Sequence, residues 1–239
     1  MNGPLLRVAD LHSGYAGGRV LHGVSLCVNA AEVVALMGRN GVGKSTFMRT
    51  LIGIVKVDKG SIYINERDVT RSAPYTRARW GLGYVPQGRE IFGGLTVGEN
   101  LKIGTLAAVG RAGQSAEMSE KVLSYFPILR ERLAQKAGTM SGGEQQQLAI
   151  ARALVGAPKV LLLDEPSEGV QPSIVQAIAD TLVKIAKELQ VAVILVEQDI
   201  AMIERVADRC FVMDKGSLTD ELTRAQLRDE ALMRRYLAL

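Results

Sequence analysis

At 239 residues the chain is long enough for one large α/β domain or two small ones, with a substantial core. Its formal net charge of +4 is scattered rather than gathered, which argues for an ordinary solvated surface and against a nucleic-acid footprint. No apolar stretch approaches the roughly 20 residues that cross a bilayer, and Met1-Asn2-Gly3-Pro4 lacks a signal-peptide pattern.

The chain opens on two runs, Leu5–Tyr15 and Val20–Asn29, split by Ala16-Gly17-Gly18-Arg19, which read as a β-hairpin. Cys27 and Cys210 each fall in an apolar run without a partner at metal or redox spacing, so both are expected to be buried, reduced thiols. The apolar run Val33–Met37 reads as a strand, and it leads into Gly38-Arg39-Asn40-Gly41-Val42-Gly43-Lys44-Ser45. That segment matches G-x-x-x-x-G-K-[ST] in the context the motif needs, with a strand before it and a helix, Ser45–Ile52, after it. Its glycines let the backbone curl so that N–H groups face phosphate oxygens. Lys44 then neutralises the β- and γ-phosphates, the Ser45 hydroxyl serves Mg²⁺, and Thr46 follows within the same nucleotide-binding turn.

Ile62–Ile64 is a further strand candidate. Residues 88–156 change character, with Gly-rich turns and helical segments at Glu117–Phe126 and Ile128–Gln135 separated by Pro127. Ser141 and Glu144, three apart, form a capping box and so predict a helix start. With Gly142 and Gly143 in the first turn, the backbone N–H groups are open to an anion that the helix dipole favours. This is a second phosphate-seeking surface.

The apolar run Val160–Leu163 ends on Asp164-Glu165, where a strand would deliver one carboxylate to Mg²⁺ and the next to a water as general base. Val191–Val196 and Cys210–Met213 are further strands, and the stripe Ile174, Ile178, Leu182, Ile185, Leu189 is a core helix face between them. This alternation is that of a parallel sheet. Thr223–Leu239 reads as one amphipathic helix packed on the core.

The phosphate loop, the run Ser141-Gly142-Gly143-Glu144-Gln145 and the pair Asp164-Glu165, in that order, resemble the ATP-binding-cassette family over the whole chain. The resemblance implies an α/β fold: a P-loop NTPase core with a mainly parallel sheet, an N-terminal antiparallel β subdomain and an inserted α-helical subdomain. One ATPase domain, 1–239, would then comprise a nucleotide-binding core at 1–87 and 157–239 and a helical insertion at about 88–156. By the same resemblance Tyr15 stacks on adenine and Gln87, after Gly83-Tyr84-Val85-Pro86, reaches Mg²⁺ and the attacking water. Gly88–Phe92 and the helices after it would face a membrane subunit. Ser141 and Gly143 would contact the γ-phosphate held by a second cassette, which makes the working unit a dimer, like or unlike.

Two departures stand out. Where the family usually has a switch histidine this chain has Val196-Glu197-Gln198-Asp199, and Gln198 can donate an amide hydrogen bond but cannot take up a proton. The loop Ser167-Glu168-Gly169-Val170-Gln171-Pro172 also lacks the usual aspartate. Both departures are similar to those of importers for branched-chain amino acids, urea and short amides, and Gly83–Phe92 and Glu168–Ser173 look most like the urea-type member. The implied protein is a peripheral ATPase on the cytoplasmic face of the cell membrane, using ATP and Mg²⁺. It would work with two transmembrane permease subunits and, indirectly, a periplasmic or extracellular solute-binding protein. Two other readings are a low-turnover regulatory partner of a second cassette and an ATPase acting on DNA or ribosomes. The second lacks the coiled-coil insertions or tandem cassettes such proteins carry.

Overall fold

The structure is a computed structural model describing residues 3–106, 112–229, 232 and 236, with side chains described from residue 117 onward in the helix that begins at 112. Two sheets organise it. The hairpin strands β1 (Leu6–Tyr15) and β2 (Gly18–Val28) pair antiparallel, and β4 (Val57–Ile64) and the short β5 (Arg67–Asp68) extend them in the order β2-β1-β4-β5. The second sheet runs β10-β9-β3-β8-β7-β6, from Ser217–Thr223, Arg209–Asp214, Val33–Met37, Ala192–Val196, Val160–Asp164 and Leu82–Val85. All its pairings are parallel except that of β10 with β9.

The central strands β3, β7 and β8 are buried at every position, as a parallel sheet covered on both faces requires. Their side chains alternate between two cores. Val34, Leu36, Val160, Leu162, Ile194 and Val196 pack with Phe47, Met48 and Leu51 of α1 (Lys44–Ile52). Val33, Ala35, Leu161, Leu163, Val193 and Leu195 pack on the other side. That side is covered by the helices after β6 and by α7 (Pro172–Leu189) and α8 (Ile200–Val206). After α2 (Pro74–Arg79), the helices α3 (Val97–Thr105), α4 (Ala112–Tyr125), α5 (Pro127–Glu131) and α6 (Gly142–Leu154) all fall between β6 and β7 in chain order. In α7 the stripe is as expected at Ile178, Leu182 and Ile185, while Ile174 and Leu189 at its ends are only partly covered.

Three expectations need correction. Cys27 is exposed, because β2 alternates and its neighbours Leu26 and Val28 take the inward positions; Cys210 is buried. Two helices do meet here, as expected, but Pro127 belongs to the second and opens α5, where its missing N–H costs nothing. That helix closes after one turn, as Arg132 donates back to Leu129 O and pairs with Glu144 at 3.1 Å. The tail is not one helix from Thr223: Thr223 ends β10 and caps α9 (Arg224–Leu227), which turns out at Arg228 and Asp229. Asp229 Oδ1 then accepts from the Leu232 N–H, and Leu232 and Tyr236 pack on the core; the remaining tail positions lie outside the described residues.

The end of α1 is held by Arg77 of α2, which is 2% exposed. It donates to the carbonyls of Thr50 and Leu51 at 2.7 Å, Thr70 at 2.9 Å and Ser72 at 3.0 Å. A cation thus meets the negative end of the helix dipole and satisfies carbonyls the helix leaves open. Arg77→Met removes all four bonds in a dry site and is expected to cost about 3 kcal/mol. Urea denaturation checks it, and an unchanged midpoint refutes this account of the α1 terminus.

Candidate functional site

The phosphate loop follows from the end of β3. A Cβ at Gly38 would collide with the Met213 carbonyl of β9, so only glycine lets the chain leave the sheet there. Gly43, with φ 114, is the N-terminal cap of α1 and supplies its carbonyl to the Phe47 N–H. Such a left-handed cap suits glycine alone among residues without strain. Arg39, Asn40 and Gly41 are exposed, while Lys44 and Thr46 are buried. Lys44 Nζ folds back and donates to Gly38 O at 2.6 Å and Arg39 O at 3.0 Å, which closes the loop around one cation. Burial pulls the Lys44 pKa down, and the nearby Glu165, Asp164 and Glu197 act the other way.

Asp164 arrives by strand periodicity. Val160 and Leu162 face α1, so the residue two further on faces α1 as well. Asp164 is 3% exposed, accepts from the Tyr84 hydroxyl at 3.4 Å through Oδ2, and keeps Oδ1 buried with no hydrogen-bond partner. Burial and the adjacent Glu165 push its carboxyl up to about 6, against the pull of Tyr84, Lys44 and Arg49. An orphaned anionic oxygen in such a place fits a divalent cation. Among the described residues no three His, Cys, Asp or Glu side chains are placed to hold a metal ion by themselves. Ser45 and Asp164 would therefore share Mg²⁺ with phosphate and water oxygens, as this small cation commonly allows.

Glu165 sits in the left-handed region at φ 48, its N–H tied to Val196 O at 2.9 Å. Its carboxylate lies between two carboxamides: Gln198 donates to Oε1 at 2.6 Å and Gln87 to Oε2 at 3.2 Å. Gln198 also donates to Asn40 Oδ1 of the phosphate loop at 2.9 Å. Asn40, Gly41, residues 43–46, Gln87, Glu165, Glu168 and Gln198 line one cleft. An adjoining cleft takes in Tyr15, Ser45, Arg49, Gln87 and Asp164. Tyr15 is exposed at its rim with its hydroxyl accepting from Arg49 at 3.5 Å, so its ring is available for stacking.

The helix start and capping box expected at Ser141 form, away from these clefts. Ser141 Oγ accepts from the Glu144 N–H at 3.4 Å and Glu144 returns the bond to the Ser141 N–H at 2.9 Å. Ser141, Gly142, Gly143 and Glu144 line neither cleft. Gly143 is buried against Ile174, which leaves no space for a Cβ, so packing as well as anion access requires glycine there.

Sequence reasoning passed over Glu197. Its buried carboxylate accepts from the N–H groups of Gln198 at 2.8 Å, Asp199 at 3.1 Å and Ser167 at 3.3 Å. Burial raises its pKa while those bonds oppose the rise. A charge ending an apolar strand run was the available signal. It sets the backbone on both sides of the cleft, joining the Gln198 segment to the loop after Glu165.

The geometry has close counterparts. The ABC transporter family model matches residues 21–168. The branched-chain amino acid transport ATP-binding protein BraG of Pseudomonas aeruginosa is 43% identical over 209 residues, which are 87% of this chain and 88% of that one. The probable branched-chain amino acid transport ATP-binding protein LivF of Archaeoglobus fulgidus is 34% identical, with 89% of each chain covered. The lipopolysaccharide export ATP-binding protein LptB of Escherichia coli is 35% identical over 97% of this chain and 96% of that one. Among solved structures, cbiO1 of Clostridium perfringens, part of the ABC transporter complex cbiONQ, superposes with a TM-score of 0.85 at 28% identity, covering 98% and 94%. A nucleotide-free ATP-binding cassette superposes at 0.82 and 25% identity, covering 99% and 96%. With its phosphate loop, its acid pair and a family match over more than half its length, this chain belongs to the ABC transporter family, as an ATP-hydrolysing ATP-binding subunit.

Proposed function

We propose that the chain powers an importer for branched-chain amino acids, with hydrolysis carried out at the cleft around Glu165. The observation that carries the reading is the Glu165 carboxylate, held at 2.6 and 3.2 Å by two neutral amides beside the phosphate loop. A base must be aimed before it is useful, and amides aim a carboxylate without neutralising it. In this reading ATP lies along residues 38–46 with its adenine on Tyr15. Lys44 leaves the loop carbonyls for the β- and γ-phosphates, and Glu165 takes a proton from the attacking water. Gln87 orients that water. Gln198 supplies the amide hydrogen bond to the γ-phosphate that a histidine would otherwise give. Mg²⁺, held by Ser45, Asp164 and Gln87, supplies charge neutralisation on the phosphates when bound. Ser141–Glu144, outside the cleft, serve the site of a second cassette.

The partners of this reading are that second cassette, two permease subunits and, indirectly, an external solute-binding protein; nucleic acid is not among them. Among the described residues no helix is long and apolar enough to cross a membrane, so the permeases carry the pore and this chain sits on their cytoplasmic side. BraG and LivF support branched-chain amino acids as cargo over urea or short amides. LptB, matched over nearly the whole chain, makes lipid export the competing cargo class.

Three predictions test the reading. Lys44→Ala abolishes turnover, and Glu165→Gln lowers kcat by about 10²–10⁴ while ATP still binds; unchanged turnover in Glu165→Gln ends the base assignment. Gln198→His is tolerated within about threefold, and complete loss shows that this position does other work. Labelled leucine uptake in the native host should vanish with Lys44→Ala and return with the wild-type gene. Loss of surface lipid instead of leucine uptake moves the cargo to the export class.

A separate prediction concerns Asp164. Its folded pKa lies above the ordinary carboxylate value, so the folded state holds the extra proton and stability falls as pH rises through about 6. Asp164→Asn is therefore expected to stabilise the nucleotide-free chain at pH 7.5 by about 2 kcal/mol. At pH 4 the gain shrinks toward nothing, and Mg²⁺-dependent turnover is lost throughout. Thermal unfolding at the two pH values reads it, and destabilisation at pH 7.5 contradicts the sign.

A further inference from the structure

Arg89, two residues beyond Gln87, lies at the meeting point of three segments that the proposed cycle must move together. Its backbone is in the left-handed region at φ 71, followed by Glu90 at φ 46, two consecutive non-glycine residues in a conformation each resists. The turn is held from both sides. Arg89 Nη2 donates to Glu168 O at 2.9 Å and Gly169 O at 3.1 Å, in the loop between Glu165 and α7. From the other side, Arg152 at the end of α6 donates to Glu90 O at 2.8 Å and Arg89 O at 3.4 Å. The guanidinium also lies against the first turn of α6: a Cβ placed on Gly142 would stand 3.2 Å from Nη1 and 3.1 Å from Gly169 O. Arg89 thus joins the glutamine segment through its own backbone and the loop after Glu165 through two carbonyls, and its guanidinium lies beside the first turn of α6 at Gly142.

We infer that Arg89 is a positioning residue that locks the Gln87 segment, the Glu168–Gly169 loop and the Ser141–Gly143 turn into one moving unit. The inference rests on the dimeric reading above. The chemistry favours a coupling role over simple filling. A guanidinium nitrogen holds its two N–H donors in a fixed plane, and here Nη2 directs them at two successive carbonyls of a loop whose own backbone bonds are two local turns. That loop is also where the aspartate usual in the family is absent and Glu168-Gly169 stands instead. Within the chain this loop is held at two points, by Glu197 on the Ser167 N–H and by Arg89 on the Glu168 and Gly169 carbonyls, and only the second ties it to the Gln87 segment. A shift at Gln87 then displaces Glu168 and Gly169 and, with them, the surface that meets a second cassette. Arg89 acts through these groups and touches no reacting atom.

The test compares wild type with Arg89→Ala and Arg89→Lys, in full-length chains. Hydrogen exchange of the nucleotide-free protein reads the latch without reference to catalysis. In Arg89→Ala the amides of residues 167–170 and 142–144 are expected to exchange about tenfold faster, as loss of two charge-assisted bonds implies. Unchanged exchange overturns the inference whatever the enzyme does. ATP-driven pairing in a Glu165→Gln background reads the coupling. Arg89→Ala should weaken pairing about tenfold while ATP affinity, measured below the pairing concentration, stays within about twofold. Arg89→Lys, which keeps charge but loses the fork, should recover only part of the pairing. Faster exchange with wild-type pairing makes Arg89 a structural tether only and overturns the coupling. A wild-type chain that neither pairs nor hydrolyses ATP, with Lys44→Ala as control, overturns the reading beneath it, while the exchange result still decides the latch.

Discussion

The working end of this molecule depends on one constraint: both faces of a parallel sheet must be dry. β7 is buried at all five positions, with Leu161 and Leu163 against the helical side and Val160 and Leu162 against α1. The period of two then carries Asp164 toward α1, on whose first turn Lys44 and Ser45 stand. A one-residue slip of β7 would turn the carboxylate to the opposite face, into an apolar core where it could not remain ionised. The hydrophobic register and the placement of Asp164 beside the phosphate loop are therefore a single arrangement. Neither can be changed without the other.

That arrangement concentrates cost at the strand ends. Asp164, Glu165 and Glu197 converge near a single buried Lys44, and burial acts against the charged form of Asp164, Glu197 and Lys44 alike. Glu165 adds a left-handed backbone. Such features persist only where the surroundings over-determine them. Here the over-determination is visible in Glu165 N–H on Val196 O, the three N–H groups on Glu197, and Lys44 on two carbonyls. The strained positions are those the proposed chemistry uses, which is the expected place for a fold to keep its local conflicts.

Much of this was legible because its signals are local. The phosphate loop has a fixed spacing, the Ser141–Glu144 cap is a pair three apart, and the buried strands are unbroken apolar runs. Each therefore appeared within a residue or two of where it was read. What escaped was non-local or masked by punctuation. β6, Leu82–Val85, is a four-residue strand interrupted by Gly83 and Tyr84, and only its place in the sheet beside β7 defines it. The tail looked amphipathic throughout, but the β10–β9 pairing claims Thr223, and Asp229 starts a new turn. Cys27 sat in an apolar run whose alternation points it outward. In the site, the contacts Gln198–Asn40, Gln198–Glu165 and Arg89–Glu168 join residues 33 to 158 positions apart. No window on one sequence displays them.

The substitution of an amide for the usual histidine then has a physical meaning beyond the loss of a proton carrier. Gln198 donates to Glu165 and to Asn40 at once, so a single neutral group ties the proposed base to the phosphate loop. A histidine in its place would change charge between pH 5 and 8 and would alter that tie with pH. The chain's two histidines, His12 and His22, lie instead on β1 and β2, paired across the antiparallel sheet. Burial beside Glu165 raises the Asp164 carboxyl to about 6, so this group of the cleft titrates toward neutral pH. A cation bound there would displace the proton and remove the pH dependence together with its cause. The Gln198 amide does not titrate, so its tie to the phosphate loop adds no pH dependence of its own, whereas buried Asp164 does.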